Sequence, residues 1–132
     1  MYYQKSDAII LVFDITSIIS FKALKKIYGE IKETISIEKV LFFVVGNKND
    51  LYEKEEVTKD EAKDYAKSIM AEYMCVSAAK PSGITELFEF VGKKLYQKEK
   101  SEPSEMSNAN YNSNVLVNDN PNLKKTKKFC CL

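Results

Sequence analysis

Three apolar runs punctuate the first ninety-odd residues, and each ends in polar residues. Ala8-Ile9-Ile10-Leu11-Val12-Phe13 closes at Asp14 and Thr16. Val40-Leu41-Phe42-Phe43-Val44-Val45 ends at Gly46 and opens into Asn47-Lys48-Asn49-Asp50. Tyr73-Met74-Cys75-Val76 leads through Ser77-Ala78-Ala79-Lys80-Pro81-Ser82-Gly83. An apolar run without alternation is the mark of a strand buried on both faces. Between the runs the spacing changes. Phe21, Leu24, Tyr28, Ile31 and Ile35 recur at intervals of three and four, one stripe of an amphipathic helix, with Lys22, Lys25, Lys26, Glu30 and Lys32 on its other faces. Gly29 weakens that helix somewhat. Thr58-Lys59-Asp60-Glu61 is a capping box that starts a second helix burying Ala62, Tyr65, Ala66 and Ile69. A third helix buries Ile84, Leu87, Phe88, Val91 and Leu95. Strand and helix alternate three times, which predicts an α/β fold: a doubly wound parallel sheet of three βα units, with right-handed crossovers and helices on both faces.

Near Gln97 the composition shifts, so residues 1–96 are read as the folded domain and 97–132 as a tail. Lys98 to Asn122 carries too few apolar residues to offset the entropy of ordering it and is expected to be disordered. The chain ends on Lys124, Lys125, Lys127 and Lys128 followed by Phe129-Cys130-Cys131-Leu132. The 132 residues carry 20 cationic and 19 anionic side chains, a balance that removes the broad basic face needed to bind nucleic acid. No apolar run approaches the ~20 residues of a spanning helix, and the N-terminus lacks the order of a signal peptide. With three cysteines in no disulfide-like arrangement, the chain is read as cytosolic, and Cys75 as a small buried strand residue. Histidine is absent, which excludes His-based zinc sites and His-activated nucleophiles. Every cation is a lysine, so the chain supplies no arginine finger. Glu53, Glu55, Glu56, Asp60 and Glu61 are read as complementing a helix dipole and not as a metal site.

In an open parallel sheet ligands bind beyond the carboxyl ends of the strands, at the loops that begin with Asp14, Gly46 and Ser77. The Asn47–Asp50 loop offers a carboxylate, an amide and a lysine stem. A carboxylate held in plane accepts two parallel hydrogen bonds from the N1–H and exocyclic amine of guanine, which adenine cannot donate. By this chemistry Asp50 would select guanine. The alternative is an ordinary polar loop after a strand, since Asn and Asp are common there. Ser77-Ala78 favours the first reading, because a second loop could aim a backbone N–H at guanine O6.

Further residues fall into one pattern: Tyr2-Tyr3, Ala8, Val12-Phe13-Asp14-Ile15-Thr16, Ser20-Phe21, Gly46-Asn47-Lys48-Asn49-Asp50-Leu51, Ser77-Ala78, Glu86-Leu87-Phe88 and the terminal double cysteine. In their order and spacing they resemble the Rab branch of the Ras-like small GTPases, from Tyr2 to Leu132. The resemblance implies that Asp50 reads the guanine edge, Asn47 buttresses the loop and approaches the base, Lys48 lays its stem along the ring, and Ala78 offers its N–H to O6. The family's Ser-Ala-Lys is Ser77-Ala78-Ala79 here. The lysine that packs on the guanine is therefore missing at Ala79 and partly replaced by Lys80, and base stacking should be weaker. Ile27 stands where the family has a tryptophan.

The family's phosphate-binding loop, switch threonine and catalytic glutamine would precede Tyr2-Tyr3. The glycines at 29, 46, 83 and 92 form no Gly-x-x-x-x-Gly-Lys pattern. The chain by itself is therefore expected not to hydrolyse GTP and to hold GTP or GDP weakly or not at all, with no catalytic residue of its own; Mg²⁺ is expected only in a full-length form. A three-stranded sheet would also leave the Ala8–Phe13 strand with an unpaired apolar edge, which points to a fragment of a longer protein. The competing view is a small domain that covers this edge with its own tail, against which the tail's polarity counts.

Phe129, fourth from the end, does not fit a CaaX box. Cys130 and Cys131 match the Rab double-cysteine ending instead. That ending implies geranylgeranylation by a transferase with the Rab escort protein, handling by GDP dissociation inhibitor, and a place on the cytoplasmic face of an endomembrane with a cytosolic pool. Two lipid chains beside four lysines suit an anionic membrane surface. The function so implied is a membrane-tethered GTP/GDP switch in vesicle trafficking. Two alternatives stand: a non-catalytic prenylated binding module or decoy for the escort and prenylation machinery, and another doubly wound protein, such as a flavodoxin-like domain, without guanine preference.

Overall fold

A computed structural model describes residues 5–101 and 129–131. The elements run β1 (Ala8–Asp14), α1 (Ile18–Thr34), β2 (Leu41–Asn47), α2 (Lys59–Ser68), β3 (Glu72–Cys75), α3 (Ile84–Ser101) and β4 (Phe129–Cys131), with short 3₁₀ turns at Ile37–Lys39 and Asn49–Lys54. The strands form one sheet in the order β3-β2-β1-β4, and every pairing is parallel. The three βα units predicted from the periodicity are all present.

The unbroken apolar runs serve two cores at once. In β1, Ile9, Leu11 and Phe13 face one core and Ala8 and Ile10 the other; in β2, Phe42 and Val44 share the first and Phe43 and Val45 the second. Because strand side chains alternate, a sheet covered on both faces needs every position apolar. Helices α1 and α2 cover the first face through Phe21, Leu24, Ile31, Ala62 and Ala66, and α3 covers the second through Leu87, Val91 and Leu95. Ile27, the residue in the tryptophan position of the resembled family, packs against the first core.

The capping signal at Thr58 holds, and α1 has a cap of the same kind. Ser17 accepts the Ser20 N–H at the start of α1, and the Thr58 hydroxyl accepts the Glu61 N–H at 3.2 Å at the start of α2. Among the described residues no group of three or more potential metal ligands occurs, and Glu56 accepts the Ile18 N–H at 2.9 Å, at the positive end of α1.

Three expectations are corrected. Phe88 was expected in the core, but it is 48% exposed. The stripe that faces the sheet is Leu87, Val91 and Leu95, spaced by four, and Phe88 lies about 100° round the helix from it. Helix α3 runs on to Ser101, past the boundary expected at Gln97. The outer edge of β1 is not bare: Phe129–Cys131 pairs with Ala8–Ile10, within a tail expected to be disordered. The polarity that counted against a covering tail stops at Lys128. Phe-Cys-Cys suits a strand, and pairing satisfies backbone groups that an apolar edge would otherwise leave open. Met1 to Gln4, residues 102–128 and Leu132 lie outside the described residues, and with them Tyr2, Tyr3 and the four lysines of the basic cluster.

Gly29 sits on the exposed face of α1, with nothing within 4 Å of the position a Cβ would take. Gly29→Ala is therefore expected to stabilise the fold by about 0.5–1 kcal/mol, by restricting the unfolded chain without a clash. Chemical denaturation would show this as a higher midpoint at unchanged m-value; a lower midpoint would refute it.

Candidate functional site

The carboxyl ends of β1, β2 and β3 bring three loops together, and hydrogen bonds tie each to the next. At the end of β1, Asp14 Oδ1 accepts from the Thr16 backbone N–H at 2.9 Å and from the Thr16 hydroxyl at 2.7 Å. Its own N–H donates to Ser20 Oγ at 3.0 Å. Asp14, Thr16 and Ser20 thus act together to fix the aspartate. Its second oxygen, Oδ2, lies 2.6 Å from Lys48 Nζ, an ion pair that draws the lysine stem across the strand ends from β2 to β1. The periodicity offered no sign of this partner. The pairing follows from the β1–β2 register, which sets Asp14 opposite Asn47.

Lys48 adopts a left-handed backbone conformation, φ 64° and ψ 33°, which costs a residue with a Cβ about 1–2 kcal/mol. Its surroundings hold it there. The Lys48 N–H donates to Asn47 Oδ1 at 2.7 Å, and the next turn closes through Leu51 N–H to Lys48 O at 2.8 Å. Gly46, just before, is packed so closely that a Cβ would stand 3.0 Å from Ile15 Cγ2 and 3.2 Å from the Tyr73 hydroxyl.

Asn47 Oδ1 also accepts the Ala78 N–H, at 3.2 Å, so one amide oxygen joins the β2 and β3 loops. With Oδ1 engaged, the amide N–H₂ is the donor that Asn47 has left. A second bridge runs from Ser77 Oγ to Asp50 Oδ1 at 2.5 Å, and Ser77 Oγ in turn accepts the Lys80 N–H at 3.1 Å. Ser77 is buried at 2% exposure, whereas Ala78, Ala79 and Lys80 are exposed. Below them the Asn49 N–H donates to Val76 O and the Val76 N–H to Gly46 O. Gly83 closes the β3 loop at φ +79°, where a Cβ would also meet Cys75 O at 3.0 Å.

The hydrogen bond from Ser77 holds the Asp50 carboxyl below the usual carboxylate range, aided by the charges of Lys80 and Lys48. Lys80, which replaces the family lysine one position late, therefore still acts on the aspartate electrostatically. For Asp14, partial burial pushes the carboxyl up, but the hydrogen bonds from Lys48 and Thr16 outweigh it and the net direction is down. Tyr73 lies below the loops with its hydroxyl 2.7 Å from Cys75 Sγ, and burial raises its pKa well beyond the ordinary phenol range.

Both carboxylates are thus anionic at neutral pH. A carboxyl group whose pKa is depressed by folding stabilises the native state above its ordinary value near 3.9, and that contribution is lost as pH falls through the depressed value. Asp14→Asn is accordingly expected to lower stability at pH 7 and to flatten the acid limb of the stability curve below about pH 4. Denaturation midpoints between pH 2 and 7 would test it; an acid limb unchanged by the substitution would rule out the linkage.

Hydrogen bonds bring together Asn47, Lys48, Asp50, Ser77 and Ala78, and Ala79 is exposed beside them in the β3 loop. Cys130 and Cys131 lie elsewhere, at the outer edge of β1. The arrangement presents an anionic carboxylate, an amide donor and a lysine stem on one rim of the sheet, a donor and acceptor set that fits the edge of a purine. Among the described residues no group of three or more potential metal ligands occurs, and the glycines at 29, 46, 83 and 92 make no phosphate-cradling Gly-x-x-x-x-Gly-Lys loop.

The Ras family profile matches residues 1–97. The Ras-related protein Rab-31 of Homo sapiens is 33% identical over 130 residues, which cover 98% of this chain and 63% of the relative, and its Mus musculus counterpart is 35% identical over the same span. The Ras-related protein Rab-21 of Canis lupus familiaris is 31% identical over 137 residues, 99% of this chain and 61% of the relative. The chain thus spans less than two thirds of the length of these relatives. On its profile match it belongs to the Ras family, and nearly its whole length aligns with Rab relatives.

Proposed function

We propose that this chain is the guanine-recognising part of a Rab-type switch that works on an endomembrane in vesicle trafficking. The observation that carries the reading is the pair of bridges, Ser77 to Asp50 and Ala78 to Asn47, which lock two loops before any ligand arrives. Asp50 then accepts from guanine N1–H and the exocyclic amine. Asn47 offers its amide N–H₂ to a ring acceptor, Lys48 lies along the ring, and O6 takes a share of the Ala78 N–H, which Asn47 Oδ1 holds at 3.2 Å. A preorganised site loses little entropy on binding and leaves a charge without donors when adenine enters, which is the source of its selectivity. Lacking a phosphate cradle among its own residues, the chain binds GTP or GDP weakly and hydrolyses GTP no faster than buffer does.

In the same reading Cys130 and Cys131 accept geranylgeranyl groups from the transferase with the escort protein, and GDP dissociation inhibitor shuttles the lipidated chain between cytosol and membrane. Lys124, Lys125, Lys127 and Lys128 add attraction to an anionic leaflet. A non-catalytic prenylated decoy for that machinery is the second reading, favoured by the poor fit to phosphates and Mg²⁺.

Amide chemical shifts in a titration with GDP, and separately with ADP, test the base site. The expected result is movement at Asn47–Asp50 and Ser77–Ala79 with GDP alone. Equal responses to the two nucleotides would remove guanine recognition, and with it this function.

A further inference from the structure

The sheet edge that the family fold would fill with another strand is here paired with the end of the chain itself. Ala8, Ile9 and Ile10 are fully buried and stand opposite Phe129, Cys130 and Cys131 in parallel register. We propose that the outer edge of β1 is a receptor for the chain's own C-terminal segment, and that this ladder withholds Cys130 and Cys131 from any modifying enzyme until it opens. The inference rests on the reading that these cysteines are modified.

The argument is steric and concerns the backbone. An enzyme that acts on terminal cysteines must enclose the segment that bears them as a free, extended chain. A segment laddered to β1 has one edge of its backbone committed and lies against the sheet, so β1 stands where the enzyme's wall would be. The two states exclude one another. Pairing ends at Ile10 and Cys131, so the ladder is short. A short edge ladder opens often, and the protection it gives is modest. The device is therefore a latch that slows modification and that a competing strand can displace. When the segment leaves, it uncovers Ala8–Ile10, an apolar edge able to pair with another extended chain. Release of the tail and exposure of a docking edge are one event.

Digestion of the intact chain by carboxypeptidase Y, an enzyme that must enclose the chain end as free extended backbone, tests the latch. The reference is a synthetic hexapeptide of the sequence Lys127–Leu132, which has no edge to pair with, and mass spectrometry follows the loss of Leu132, Cys131 and Cys130 by hydrolysis. The expected result is release of Cys131 and Cys130 about tenfold slower from the chain than from the peptide. Rates within about twofold of each other would overturn the proposal. Hydrogen exchange on a chain ending at Lys128 gives a second readout: amides within Ala8–Ile10 should lose protection and regain it when the hexapeptide is added, and unchanged protection would overturn the proposal as well. Should the shortened chain not fold, the digestion rates decide alone. Prenyl transfer in a reconstituted assay addresses the lipid reading separately. Slow digestion without transfer removes the lipid and supports the latch, whereas fast digestion with transfer keeps the lipid and overturns the latch.

Discussion

Replacing Asp50 with asparagine is expected to move the base preference of the site from guanine towards xanthine, changing the ratio of GDP to XDP affinity on the order of 100-fold. The Ser77 hydroxyl donates to Asp50 Oδ1 at 2.5 Å, and an amide oxygen accepts that bond equally well. Asparagine therefore turns its N–H₂ into the place of the other carboxylate oxygen. One of the two positions facing the base changes from acceptor to donor. Guanine then meets donor against donor at its exocyclic amine, while xanthine, with a carbonyl there, meets a match. Because Ser77 keeps its partner, the fold should remain intact, and denaturation midpoints serve as the control. Parallel titrations of wild type and variant with GDP and XDP read the ratio. A variant that still prefers GDP would remove the role assigned to Asp50.

A pH series on the wild type adds a second check on the same group. Since Ser77 and the nearby lysines hold the Asp50 carboxyl below its usual range, its anion persists well into acid. GDP-induced shifts should stay constant from pH 7 to about pH 5 and fade only as pH drops through the depressed value. Loss of binding already near pH 6 would point to a different group.

The parts of this molecule visible in its sequence are those set by periodicity and local chemistry. The apolar runs of β1 and β2 could only be strands buried on both faces, and the stripe Phe21, Leu24, Ile31 could only be a helix lying on them. Thr58 announced the start of α2 because capping needs a hydroxyl just there, whereas the cap at Ser17 emerged only with the structure. The two loops at the site were readable because Asn47-Lys48-Asn49-Asp50 and Ser77-Ala78 follow strands directly, and a parallel sheet aligns the ends of its strands. What escaped depends on contacts between residues far apart in the chain. The Lys48–Asp14 pair needed the β1–β2 register. The inverted environments of Phe88 and Leu87 turn on the rotation of α3 about its axis, which two adjacent apolar residues do not reveal. The strand at Phe129–Cys131 closes onto β1 from beyond a long polar stretch, and three residues carry no period of their own.

The largest stability effect should come from Phe21, and it distinguishes the observed core from a simple count of apolar residues. Phe21 is fully buried; its ring centroid lies 4.8 Å from that of Phe13 on β1 and 5.6 Å, edge to face, from that of Tyr65 on α2. Lys25 Nζ stands 4.3 Å from the ring centroid, closing its outer side with a cation. One side chain thus joins a strand and two helices. It lies four residues after Ser17, in the helix that the Asp14–Ser20 bonds anchor to the site. Truncation to alanine leaves a cavity that three elements border and none can fill alone, and Phe21→Ala is expected to cost about 3–5 kcal/mol. Against the ~5–15 kcal/mol that stabilises most domains, that is enough to depopulate the native state on gentle warming. Phe88→Ala removes the same atoms from a half-exposed ring and should cost less than about 1 kcal/mol. Urea denaturation of the two variants beside wild type measures the contrast. Equal losses, or a larger one at Phe88, would mean that α3 packs on the sheet with a different face and that the second core is not as described.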